Sequence, residues 1–164
     1  MSSIIRARNH YNPIDTGQNI IISHRNFCPH WERMNRGKTI HIWRSDMPDN
    51  SCEFVAAGKI GWFPGHHLII DYKDGESLSK ANVTLQTIAD FSIGTEPLLV
   101  HCTVGQTRSP TIALIAKVVR GCSIYQALGD VMKANFETRA VVSNFCLTPI
   151  TEILEWAETC EKGL

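Results

Sequence analysis

The sequence contains no CxxC pair, because its six cysteines (28, 52, 102, 122, 146 and 160) are scattered along the chain. Cys28 stands near His24 and His30, but no second cluster completes a ligand set, so no metal and no cofactor is expected. Charge of either sign is not in excess: 16 Lys and Arg offset 16 Asp and Glu. A basic track for nucleic acid or for a membrane surface is therefore not expected. No apolar run reaches transmembrane length, and the first residues lack the apolar stretch of a signal peptide. The expectation is a cytoplasmic protein with reduced thiols. Repeats, linkers and low-complexity segments are missing as well. What is present, 43% hydrophobic and 20% charged over 164 residues, suits one domain spanning 1–164 with a full core. Residues 1–36 are its least readable segment, and the oligomeric state is not legible.

Periodicity divides the chain into alternating strands and helices. Ile20–Ile22 forms a short buried run, with turns at Asn12-Pro13 and Thr16-Gly17. Lys38–Trp43 alternates polar and apolar and predicts a strand, and Asp49–Ala57 a short helix that stops at Gly58. Gly58 to Gly65 is rich in glycine around Trp62 and Phe63. His67–Tyr72 is the next strand, followed by a polar loop, Lys73–Ser77. Ser79 is placed to cap a helix over about 80–93. Pro97–Val100 is an apolar run that predicts a buried strand, and Thr111–Val119 a buried helix that stops at Gly121. Ser123 caps a further helix over 124–134. Thr148 and Pro149 open a last helix that turns Ile150, Ile153, Leu154 and Ala157 inward. This alternation predicts an α/β fold, a central and mostly parallel sheet flanked by helices, with a helical C-terminal half.

Between the fourth of these strands and the helix after it stands His101-Cys102-Thr103-Val104-Gly105-Gln106-Thr107-Arg108-Ser109-Pro110. A cysteine at a strand end, five residues, and an arginine at a helix start make a cradle for phosphate. The N–H groups of Thr103, Val104, Gly105, Gln106, Thr107 and Arg108 can converge on an anion, and the helix adds its positive dipole end. Arg108 offers a planar fork for two phosphate oxygens. The same field favours a thiolate at Cys102, as it does for reactive cysteines at helix N-termini generally. A thiolate beneath a phosphate is a nucleophile aimed at phosphorus. The alternative is a buried Cys102 that only packs.

His-Cys-x5-Arg-Ser with Gly105 inside it resembles the signature of the cysteine-dependent protein tyrosine phosphatases. The trailing Pro110 and the apolar helix are most similar to the small dual-specificity branch. The resemblance implies a phosphatase-like fold and a cysteinyl-phosphate intermediate. It implies that Ser109 donates to the Cys102 sulfur, that His101 orients the loop, and that Gly105 allows a backbone turn. It also implies an aspartic acid upstream of the cysteine that protonates the leaving oxygen. Asp71 has the family's usual separation from Cys102 but abuts the apolar strand. Asp74 is slightly closer, lies in the loop, and precedes Gly75, which frees the backbone to swing. Asp74 is the preferred general acid, with Glu76 next if neither aspartate serves. Gln106 can reach toward the attacking water or remain a solvated cradle residue. Compared with the family, the glycine-rich stretch before His67 looks trimmed, which leaves the substrate-facing wall open.

The cradle interior contains no lysine, which disfavours a multiply phosphorylated inositol lipid, and the neutral charge disfavours an RNA 5′ end. The expected substrate is phosphotyrosine or phosphoserine/threonine in a protein partner. Two readings of other classes stay open: a phosphate-binding module without turnover, and a redox role for Cys102 with Cys52 as its partner.

Overall fold

The computed structural model describes residues 13–24, 37–43, 61–63, 67–73, 76–102, 108–139, 145 and 147–162. Among them are six strands: β1 (Ile14–Asp15), β2 (Ile20–His24), β3 (Lys38–Trp43), β4 (Gly61–Phe63), β5 (His67–Asp71) and β6 (Leu98–Cys102). Four α-helices are α1 (Leu85–Ser92), α2 (Arg108–Val119), α3 (Ile124–Arg139) and α4 (Leu147–Lys162), with a 3-10 turn at Leu78–Lys80. The strands form one sheet in the order β1-β2-β6-β3-β5-β4. The inner four are parallel, and the two edge strands run antiparallel to their neighbours. The sequence-based α/β architecture with a mostly parallel sheet and helical C-terminal half is thus the one observed.

Strand alternation sorts the side chains between two faces. Ile20, Ile22, Ile40, Ile42, Leu68, Ile70, Leu98, Val100 and Cys102 belong to the main core with Ile88, Ile112, Ala127, Val131, Ile153 and Ala157 of the helices. The opposite face is buried too, but it carries polar groups: Ser23, Thr39, His41 and His101. Two-sided burial explains why the inner strands read as apolar runs.

Helix α2 sits at the centre of the helical layer, packed on β2 and β6 and touching all three other helices. Every residue from Arg108 to Lys117 is buried. Lys117, fully buried, donates to Thr16 O at 2.6 Å and pairs with Asp130 at 3.2 Å. Gln18 donates to Arg120 O, and Arg120 donates back to Gln18 O, both near 3 Å. These contacts fasten the β1–β2 hairpin, whose turn takes Gly17, Gln18 and Asn19 through positive φ, to the end of α2.

Several boundaries differ from those expected. The helix placed over 80–93 is two elements. Asn82 donates to Ile69 O and accepts from Asp71 N, which fixes it against β5 and keeps 81–83 out of helical geometry. The α-helix then starts behind Thr84, whose hydroxyl accepts from Thr87 N, while Ser77, not Ser79, caps the 3-10 turn. Helix α3 runs to Arg139, beyond 134, with Asn135 buried among its inward positions. Thr148 and Pro149 lie in the first turn of α4, where a missing N–H costs nothing. Strand β4 was not foreseen, since glycines weaken strand signals. The expected helix at 49–57 lies outside the described residues.

Gly37 sits where β3 enters the sheet: Lys38 N donates to Pro97 O at 2.8 Å. A Cβ on Gly37 would stand 1.9 Å from that oxygen. Gly37→Ala is therefore expected to destabilise by about 2–4 kcal/mol, a value set by backbone overlap that no rotamer relieves. Gly129, exposed within α3 with nothing near its missing Cβ, is the contrast. Gly129→Ala should stabilise by about 0.5–1 kcal/mol through helix propensity alone. Urea titrations of the two variants read both signs.

Candidate active site

Strand β6 lies in the middle of the sheet, and Cys102 is its last residue, at the carboxyl end of the parallel strands. Ligands of open α/β sheets bind at such an end. The thiol is 3% exposed. Its Sγ lies 3.3 Å from the Ser109 hydroxyl, in the first turn of α2. A thiol donates across this contact; a thiolate accepts the hydroxyl proton instead. The structure thus brings together the two ends of the motif, the strand-end cysteine and the serine seven residues on. Thr103, Val104, Gly105, Gln106 and Thr107, expected to line the cradle, lie outside the described residues, as does Asp74.

Arg108 opens α2 and is buried, 7% exposed. It donates Nη1 to Tyr72 O at 3.2 Å. A cation at a helix N-terminus opposes the macrodipole, which favours anions there and cations at the far end. Lys117 occupies the favourable end of the same helix. Arg108 occupies the unfavourable one, beside the position expected for a cradled phosphate. A bound dianion would satisfy guanidinium and dipole together.

Asp71 closes β5, and its N–H donates to Asn82. The chain after it is fastened on both sides of Asp74. Tyr72 N donates to Trp43 O, Tyr72 O accepts from Arg108, and the Tyr72 hydroxyl donates to Glu76 O at 2.8 Å. Beyond Glu76, the Glu152 carboxylate of α4 accepts from Leu78 N and Ser77 Oγ, both at 2.9 Å. A cavity of about 350 Å³ beside this clamp is lined by Leu78, Asn82, Val83, Leu85 and Glu152.

His101 is 1% exposed, and its Nε2 lies 2.8 Å from His41 Nδ1. His24 is the register partner of Cys102 on β2, which places it beside the cysteine on the same face of the sheet. Cys28 and His30 lie outside the described residues, and so does Cys52. Among the described residues, no group of three or more His, Cys, Asp or Glu could hold a metal ion. Burial pushes the Cys122 thiol up, partly offset by Lys117. The sequence reading weighed His24 only with Cys28 and His30 as a metal cluster, and it missed Tyr72, Glu152 and His41, of which only His41 left a signal, as a histidine inside a strand.

No family profile matches the sequence, and no curated protein matches it. Solved structures do match in fold. Human DUSP28 superposes with a TM-score of 0.61 at 13% identity, over 93% of this chain and 98% of that one. The human tyrosine phosphatase-like serine/threonine/tyrosine-interacting protein gives 0.60 at 14%, over 90% and 96%. The PTP-2 phosphatase of Cydia pomonella gives 0.58 at 20%, over 88% of each. The chain has the fold of the cysteine-dependent protein tyrosine phosphatases. It is also the fold of small dual-specificity phosphatases such as DUSP28. Among the described residues no helix is long and apolar enough to cross a membrane.

The Glu152 clamp yields a direct test. Glu152→Ala removes two bonds to a carboxylate, and is expected to cost about 2 kcal/mol. Hydrogen exchange should accelerate at Leu78 and its neighbours while β6 keeps its protection.

Proposed function

We propose that this protein is a phosphatase that hydrolyses phosphate monoesters through a cysteinyl-phosphate intermediate, with phosphorylated protein side chains as substrates. The observation that carries the reading is the pairing of Cys102 with Ser109 at the N-terminus of a buried helix that opens with Arg108. The Cys102 thiolate attacks phosphorus, Arg108 and the cradle N–H groups hold the equatorial oxygens, and Asp74 gives its proton to the leaving oxygen. Water then cleaves the S–P bond, with Asp74 as base, and the Ser109 hydroxyl stabilises the departing thiolate.

A second reading has its own support. A neighbour at TM-score 0.57 and 15% identity, covering 90% of this chain and 95% of that one, is PTPMT1 in complex with PI(5)P. A phosphoinositide is the alternative substrate; the lysine-free cradle argues only against a multiply phosphorylated one. Initial rates on a phosphotyrosine peptide and on a singly phosphorylated inositol lipid separate the two.

Cys102→Ser should leave under about one percent of wild-type turnover with an aryl phosphate and still bind phosphate, because the hydroxyl stays protonated at neutral pH. Substantial residual turnover would count against covalent catalysis at Cys102 and point to another nucleophile; absence of turnover in the wild type would point to a module that only binds. Arg108→Lys should be nearly as damaging, since lysine keeps the charge but not the fork.

The acid is assigned by pH profile. Asp74→Asn should lower kcat by about 10²–10⁴-fold and remove the basic limb, where a protonated acid becomes limiting. The loss should shrink for an aryl ester whose leaving group needs no proton. Asp71→Asn should change neither limb. Reversed results would move the acid to Asp71.

A further inference from the structure

Among the described residues four large apolar side chains stand exposed: Ile93, Tyr125, Met132 and Phe136. Three of them are on α3, and Gly129 lies between them. At about 100° per residue, Tyr125, Gly129, Met132 and Phe136 fall within about 60° of the helix circumference. They form one stripe, turned away from the buried Ile124, Ala127 and Val131. Gly129 has nothing within 4 Å of its missing Cβ, so the stripe has a gap at that point.

The stripe is complementary to its own reverse. Its spacings run four, three and four residues in either direction. Reversal exchanges one aromatic with the other and the glycine with the methionine. A second copy of α3, laid antiparallel about a twofold axis level with the midpoint of Gly129 and Met132, therefore meets the first in register. Each Met132 fills the gap over Gly129 of the other copy, and each Tyr125 lies level with the other Phe136.

The polar border of the stripe matches as well. Gln126, Lys133 and Glu137 form an exposed row along one side of it. In the antiparallel pair Gln126 stands level with position 135 of the other copy, with Lys133 and Glu137 each about 3 Å to either side along the axis. Its amide carbonyl can accept from the ammonium, and its N–H can donate to the carboxylate. Lys133 and Glu137 thus each meet a neutral amide rather than a like charge.

Tyr125, Phe136 and Met132 are 76%, 61% and 45% exposed. An aromatic side chain carries about 150–250 Å², so the stripe offers on the order of 400 Å² per copy, the size at which an apolar patch is often functional. Two stripes together remove on the order of 800 Å², less than the roughly 1,200 Å² at which stable complexes begin. We propose that two copies of this chain associate through α3 as a weak dimer, antiparallel and closed by its twofold axis. The proposal does not depend on the phosphatase reading.

Sedimentation velocity with the thiols kept reduced tests it. The wild type should be monomeric near 5 µM and mostly dimeric near 1 mM. Phe136→Glu should weaken association more than about tenfold, and Tyr125→Ser should do the same if the first variant fails to fold. Gly129→Leu separates a fitted pair from a merely sticky face. It adds apolar surface but fills the gap that Met132 needs, so it should also weaken the dimer. A monomer at 1 mM, association untouched by Phe136→Glu, or equal or tighter association of Gly129→Leu overturns the proposal. Species that keep growing beyond the dimer overturn it too. Amide resonances that shift between 5 µM and 1 mM should be confined to α3 and its immediate neighbours; shifts centred elsewhere place the contact on another face and overturn it.

Discussion

Helix α2 is wrapped by protein on every side, so its polar ends must be dealt with inside the fold. Both ends carry a buried cation. At the C-terminal end Lys117 agrees with the dipole, and Thr16 O and Asp130 complete its surroundings. At the N-terminal end stands Arg108, buried, which donates to Tyr72 O. The proposed phosphate site lies at this end, next to Cys102 and the contact of Tyr72 with Arg108.

The two faces of β6 divide the labour. Cys102 points to the helical side, where the dipole and Arg108 lie. His101, one residue earlier, points to the other side, where two further histidines continue from it. Consecutive residues of a strand therefore belong to different environments, joined by a single peptide unit.

Much of this was legible in the sequence because it is local. The strand at Leu98–Cys102, the turn into a helix at Arg108, and the stop at Gly121 follow from short patterns, and the cysteine motif lies wholly between them. What escaped the reading is long-range. Asn82 bonding to Ile69 breaks a helix that periodicity alone would continue. Glu152 caps a turn some seventy residues away in the chain, a number that follows from its partners Ser77 and Leu78. The contacts of His41 with His101 and His67 join three strands, and no window of sequence contains them. Pairings of this kind depend on strand order, which the alternation of elements does not specify.

Strand order also bears on how the molecule is made. β2 and β3 are not paired with each other; β6 lies between them, bonded to both. A ribosome delivers β2 and β3 well before the residues that must be inserted between them. Until Leu98–Cys102 emerges, each of the two strands lacks a partner along one edge, and the core has no floor. Sheet assembly must therefore wait for the segment that ends in the candidate nucleophile. Its non-local pairing makes that step slow, and unpaired apolar strands invite association with other chains while it is pending. The residues best placed for chemistry are, on this topology, also the last to enter the sheet.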